Sequence, residues 1–200
     1  MPRLISEQVV TLEMADLDRR VPIRRPEHTL ERAKGAHQSD ILRYIAHKIG
    51  KLKPGERDEG EYPTLWALGA AWEEFIVSFF PDMDWQPGEL TVDGISVNAD
   101  GIMSTDDGPV LEECKFTFKG VRTGEEWLDE WLYQHQARAY CYCYGTRVVR
   151  WHVCHVRGDY KSFGPVYKRY VVEFSDVEVV QTWKMLTLGL AEMRAKGLIA

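Results

Sequence analysis

Apolar residues recur at helical spacing in the first part of the chain and at strand spacing in its middle. From Ser39 to Ile49, the residues Ile41, Leu42, Ile45 and Ile49 fall on one helical stripe, with Ser39 placed to cap it and Gly50 to end it. A charged loop with Pro54-Gly55 follows. A second helix is predicted from Thr64 to just before Pro81, burying Leu65, Leu68, Trp72, Phe75, Ile76 and Phe79. The period then changes to two. Leu90-Thr91-Val92 and Ile95-Ser96-Val97 flank Asp93-Gly94, the pattern of a hairpin with a tight turn. Val110–Phe118 reads as the next strand, and an aromatic-rich third helix is predicted over Gly124–Tyr144, closed by Gly145. Val148–Val156 and Val166–Phe174 read as strands, with Arg157-Gly158-Asp159 as a hairpin turn between them. Ser175 and Glu178 form a capping box before a last helix that ends near Gly197. The order α-α-β-β-β-α-β-β-α predicts an α/β fold, a mixed central β-sheet flanked by helices. Residues 1–36 are polar and interrupted by Pro2, Pro22 and Pro26, which predicts an arm with little regular structure before a domain at 37–200.

Two hundred residues with 44% hydrophobic content suit a single domain with a full core. No apolar run reaches the roughly 18 residues of a membrane span, and Met1-Pro2-Arg3-Leu4 lacks the form of a secretory signal. A cytoplasmic protein of a bacterium or phage-infected cell, with no membrane partner, is the expectation. The net charge of −6 argues against binding nucleic acid by overall charge. Arg19, Arg20, Arg24 and Arg25, and then Lys48, Lys51 and Lys53, are local exceptions, suited either to tracking phosphates or to solvation. The four cysteines include Cys141-x-Cys143, which lacks the spacing of a metal knuckle, so free thiols are expected.

The chemistry concentrates between Asn98 and Phe118. Asp100 stands thirteen residues before Glu113, and Lys115 follows two later. Strand alternation puts Glu113 and Lys115 on one face and Glu112, Cys114 and Phe116 on the other. Two carboxylates can share a divalent cation, and a lysine beside them can orient water or offset charge on a phosphate. Acids and lysines are common on solvated strand edges, so this triplet gains meaning only from its surroundings.

The Asp100…Glu113-x-Lys115 arrangement resembles the PD-(D/E)XK nuclease superfamily, and residues of about 37–145 are similar to its RecB, lambda exonuclease and YqaJ types. Gly69-Ala-Ala-Trp-Glu73 matches a helical Gly-xxx-Glu element of that group, and Asp100-Gly101 its Asp-Gly step, whereas Asp93-Gly94 reads as a turn. Gln136 and Tyr140, one helical turn apart, match a following Gln-xxx-Tyr helix, with Gln134 as a second glutamine. His37-x-Ser39 matches a His-x-Ser element ahead of the first helix. The resemblance implies a restriction-endonuclease-like core and a Mg²⁺- or Mn²⁺-dependent DNA exonuclease of phage or bacterial recombination or repair. The alternatives are an endonuclease on the same fold and a non-catalytic DNA-binding protein. It implies metal ligation by Asp100, Glu113, Glu73 and His37, catalysis by Asp100, Glu113 and Lys115, and substrate contacts from Gln136, Tyr140 and Gln134. Gly69 is expected to let its helix pack closely on the sheet. DNA is the implied partner, with room for a recombination or single-strand-binding protein and for a homo-oligomer. Carboxylate oxygens suit hard cations better than zinc, and a late cysteine cluster for iron–sulfur is missing.

Overall fold

The computed structural model describes residues 2–9, 36–52, 63–80, 83–118, 123–156 and 165–199, with the side chains of 63–66 excluded. The core is a six-stranded sheet built from β1 (Arg3–Val9), β3 (Asp84–Trp85), β6 (Gly101–Thr105), β7 (Gly108–Thr117), β8 (Val148–His155) and β9 (Val166–Glu173). Its order is β1-β9-β8-β7-β6-β3. All neighbours are antiparallel except β7 and β8, which run parallel. A parallel pair needs a long crossover. Here the crossover carries α3 (Gly124–Leu128) and α4 (Trp131–Tyr144). A small second sheet joins β2 (Ala36–His37), β5 (Ile95–Val97) and β4 (Leu90–Val92).

The sheet is covered on both faces. Leu111, Trp151, Val153, Tyr170 and Val172 point to one face, where Trp127 of α3, Ala137 and Tyr140 of α4 and Leu186 of α5 (Asp176–Ala195) complete the main core. Helix α1 (Gln38–Lys48) packs on α4 and α5. On the other face, Cys114 and Tyr167 meet Ile76 of α2 (Pro63–Phe79), with Trp72, Phe75, Phe80 and Trp85 around them. The α/β fold with a mixed sheet between helices is as the sequence pattern predicts. Among the described residues, no helix is long and apolar enough to cross a membrane.

Several local expectations need correction. Arg3–Val9 of the supposed arm form β1, whose partner β9 lies some 160 residues away in sequence. Strand β6 escapes a periodicity search because it is short and half exposed. The third helix is two helices. Thr123 and Glu126 form a capping box that starts α3, and the chain breaks at Asp129-Glu130 before α4 begins. Helix α1 is capped by His37, whose side chain accepts from Ser39 N, not by Ser39. Ile49 and Leu68, assigned to buried stripes, are exposed. The hairpin at Asp93-Gly94 is as expected, with φ of 52° and 76°, the left-handed pair that a two-residue turn requires. The Ser175/Glu178 capping box also forms. All four cysteines are free thiols. Arg19, Arg20, Arg24, Arg25, Lys53 and the Arg157-Gly158-Asp159 turn lie outside the described residues.

Candidate active site

Two strands and one helix bring the acids together. Asp100 ends the stretch before β6, and antiparallel pairing sets Gly101 opposite Glu112, so Asp100 arrives beside the middle of β7. Its Oδ2 accepts a hydrogen bond from Cys114 N at 2.8 Å. This approach demands glycine next. A Cβ on Gly101 would lie 2.6 Å from Met83 Sδ and 3.1 Å from Trp85 Cε3. Gly69 has no such role. A Cβ there would meet nothing within 4 Å, which removes close packing as its explanation.

Glu113 is almost fully buried, and Lys115 Nζ donates to its Oε2 at 2.6 Å. Glu113 Oε1 is buried and meets no donor at hydrogen-bond geometry among the described residues. Such an atom is costly unless something else satisfies it. Burial first, and the Asp100 carboxylate second, push the Glu113 carboxyl up to about 8, against the pull of Lys115 and, more weakly, of the Asp100 backbone N–H. Glu73 of α2 is driven up to about 8 by burial and then by Asp100, with Lys115 opposing. Burial works against the Lys115 ammonium, yet Glu113 and Asp100 hold it well above its ordinary value. Asp100 and Lys115 thus act on both Glu73 and Glu113.

Glu112 faces the opposite side, as strand alternation predicts. Its carboxylate is buried and bonded to Arg150 Nη1 at 2.9 Å and to His152 Nε2 at 2.8 Å. His152 Nδ1 meets the Tyr167 hydroxyl, and Trp72 Nε1 of α2 donates to the His152 carbonyl at 2.9 Å. Arg150 and His152 alternate along β8 in the sequence, so this polar face was open to detection by the same period-two reading.

The remaining expected residues divide. Gln136 and Tyr140 stand on one face of α4, with Gln136 Nε2 donating to the Tyr140 hydroxyl at 2.6 Å. The hydroxyl is buried and raised well above its usual range by burial and by Glu113, which ties this pair to the cluster. Gln134 is 1% exposed and donates to the Trp127 carbonyl at 2.9 Å, so it joins α4 to α3 in the interior instead of facing a substrate. His37 Nδ1 caps α1 through Ser39. Tyr133, which the sequence reading passed over, lies 5.8 Å from Lys115 Nζ by its ring centre.

The donor set suits a hard divalent cation. Asp100, Glu113 and Glu73 supply carboxylate oxygens, and the partnerless Glu113 Oε1 is an atom that a cation would satisfy. Among the described residues no three His, Cys, Asp or Glu side chains stand as a ready-made ligand set.

No family model matches the chain, and no curated protein matches it. Among solved structures it is similar to the alkaline exonuclease LHK-Exo of Laribacter hongkongensis in complex with dAMP, with TM-score 0.49 and 13% identity over 82% of this chain and 89% of that one. It is similar to a phage-related exonuclease from Haemophilus somnus 129PT, with TM-score 0.49 and 9% identity over 76% and 78%. It is also similar to the protein SSO0001, with TM-score 0.48 and 12% identity over 80% and 79%. Likenesses this distant carry no argument about activity.

Proposed function

We propose that this protein is a Mg²⁺- or Mn²⁺-dependent deoxyribonuclease that hydrolyses phosphodiester bonds from DNA ends. The observation that carries the reading is the buried Glu113, bonded to Lys115 and raised by the neighbouring Asp100, with one carboxylate oxygen that meets no donor at hydrogen-bond geometry among the described residues. Asp100 and Glu113 would hold the cation, with Glu73 and His37 as further ligands. A divalent cation bound there supplies a water of lowered pKa and polarises the phosphate. Lys115, oriented by its bond to Glu113, orients the attacking water and offsets charge that builds on the phosphate. Gln136 contacts the strand, and the buried Tyr140 hydroxyl fixes its amide. The sequence resemblance supports a role in phage or bacterial recombination or repair.

The test is digestion of linear and circular DNA, single- and double-stranded, with Mg²⁺, with Mn²⁺ and in excess chelator. Linear molecules should shorten from their ends, circles should survive, and chelator should stop the reaction. Cleavage that persists in chelator sinks the metal mechanism. Cutting of circles makes the enzyme an endonuclease, and no cleavage of any substrate sinks the reading altogether.

A further inference from the structure

Helix α2 carries Glu73 to the site, but apolar packing alone does not fix where Glu73 points. Ile76 rests against Cys114 and Tyr167, with Phe75 beside it. Contacts of that kind have no preferred direction and tolerate a small rotation or slide of the helix. One turn ahead of Glu73, Gly69 is not wedged against the sheet, since a Cβ there would meet nothing within 4 Å.

Trp72 is different. Its Nε1 donates to the His152 carbonyl at 2.9 Å, and its ring meets Tyr167 edge-on at 5.1 Å. A hydrogen bond is directional, so this contact selects one rotation of the helix. Its acceptor is also a fixed point. His152 lies inside the sheet, paired with Cys114 of β7 on one side and Arg169 of β9 on the other.

The Cys114–His152 pair has a second attachment. Cys114 N donates to Asp100 Oδ2 at 2.8 Å. Asp100 is thus tied to one member of the pair and Trp72 to the other. Glu73 follows Trp72 directly in the chain, so its backbone goes where the indole goes. Burial and Asp100 both disfavour the charged form of Glu73. A helix free to turn would swing that carboxylate toward water, and the indole bond opposes the turn.

We infer that Trp72 is the positioning residue for Glu73: its indole N–H, anchored on the Cys114–His152 pair that also ties down Asp100, sets the rotation of α2 at which Glu73 and Asp100 serve one cation. The inference rests on the nuclease reading, in which Glu73 is a supporting ligand. It adds a residue that touches neither metal nor DNA. It does not depend on the Glu112 side chain, because the acceptor is a main-chain carbonyl.

The test measures Mn²⁺ affinity by isothermal titration calorimetry on DNA-free protein, for the wild type, Trp72→Phe, Glu73→Gln and the double variant. Urea midpoints and cleavage rates at saturating Mn²⁺ accompany it. Trp72→Phe keeps a ring and loses the N–H. It should weaken Mn²⁺ binding by about 10-fold, the lower end of the range for residues that orient a metal ligand, with the saturated cleavage rate retained. In the Glu73→Gln background the same change should cost no further affinity. Ile76→Val, which loosens the same packing and leaves the indole bond in place, should lower the urea midpoint without moving Mn²⁺ affinity. If Trp72→Phe has no cooperative urea transition, benzothienylalanine at position 72, which keeps the bicyclic ring and puts sulfur in place of the N–H, replaces it. Wild-type affinity in Trp72→Phe, losses that multiply in the double variant, or an Ile76→Val loss equal to that of Trp72→Phe overturns the positioning role, while DNA cleavage by the wild type leaves the nuclease reading standing. A wild type that takes up no Mn²⁺ and cuts no DNA sinks the nuclease reading and this inference with it.

Discussion

Glu112 and Glu113 are neighbours on β7, identical in chemistry and equally hidden from solvent, at 0% and 1% exposure. Their faces make them opposites. Glu112 has both oxygens bonded, to Arg150 and His152, and that histidine is held on its far side by Tyr167. Glu113 has one oxygen bonded to Lys115 and one that meets no donor at hydrogen-bond geometry among the described residues, and its carboxyl is pushed up to about 8. Burial alone therefore does not mark a residue as chemical. What distinguishes Glu113 is a buried polar atom left unbalanced and a second acid brought beside it. One face of the strand is fully paired, and the other, on the proposed reading, gives up stability to keep a ligand poised.

The sharpest break in this comparison comes from removing the ligand. Glu113→Gln should lower cleavage below detection while leaving the urea midpoint near that of the wild type, and Asp100→Ala should do the same. A Glu113→Gln protein that cuts DNA within tenfold of the wild-type rate would erase the distinction. Lys115→Ala should lower the single-turnover rate by about 10²–10³, with affinity in Ca²⁺ little changed. If affinity falls instead and the saturated rate holds, Lys115 is a binding residue. Glu112→Leu should show the reverse profile. It strands Arg150 and His152 and should destabilise the fold by about 3 kcal/mol in urea unfolding, with cleavage retained in the folded protein. Glu73→Gln should raise the Mn²⁺ concentration for half-maximal activity by about 10–100-fold, with rate recovered at high metal, the scale of a supporting ligand contact.

The smallest effect is on pH dependence. A carboxyl whose folded pKa is raised binds a proton more tightly in the folded state than in the unfolded one. Its stabilising contribution is complete below the ordinary carboxyl value of 4.5 and is lost as pH climbs through about 8. Metal-free wild-type protein should therefore lose stability relative to Glu113→Gln between these limits. Thermal melts of both proteins in chelator measure the difference, and curves that stay parallel refute the assignment. Because the cation competes with that proton, the Mn²⁺ requirement should fall as pH rises towards 8.

The period-two pattern of 112–116 was legible because it is local, and so were the Asp93-Gly94 turn and the Ser175/Glu178 cap. Strand β1 was not, since six of its seven residues are exposed and its pairing with β9 is far away in sequence. The break between α3 and α4 was hidden by unbroken helix-forming and aromatic residues on both sides of Asp129-Glu130. The histidine cap of α1 was missed because a ring nitrogen does what a side-chain oxygen usually does at that position. In the site, the spacing of Asp100, Glu113 and Lys115 was readable. The burial of Gln134 was not, because Gln134 and Gln136 are alike in type and two residues apart, and only packing separates them.

Gly101 has a meaning for anyone who would redesign this region. It follows directly on a proposed ligand, so its loss in a selection for activity would look catalytic. Its constraint is steric, set by Met83 and Trp85. A library that randomises positions 69 and 101 together, selected only for soluble expression with no DNA present, should return glycine at 101 and a free mixture at 69. Pairing the change at 101 with a smaller residue at 83 should reopen it, because the obstacle is one flexible thioether and the edge of one indole.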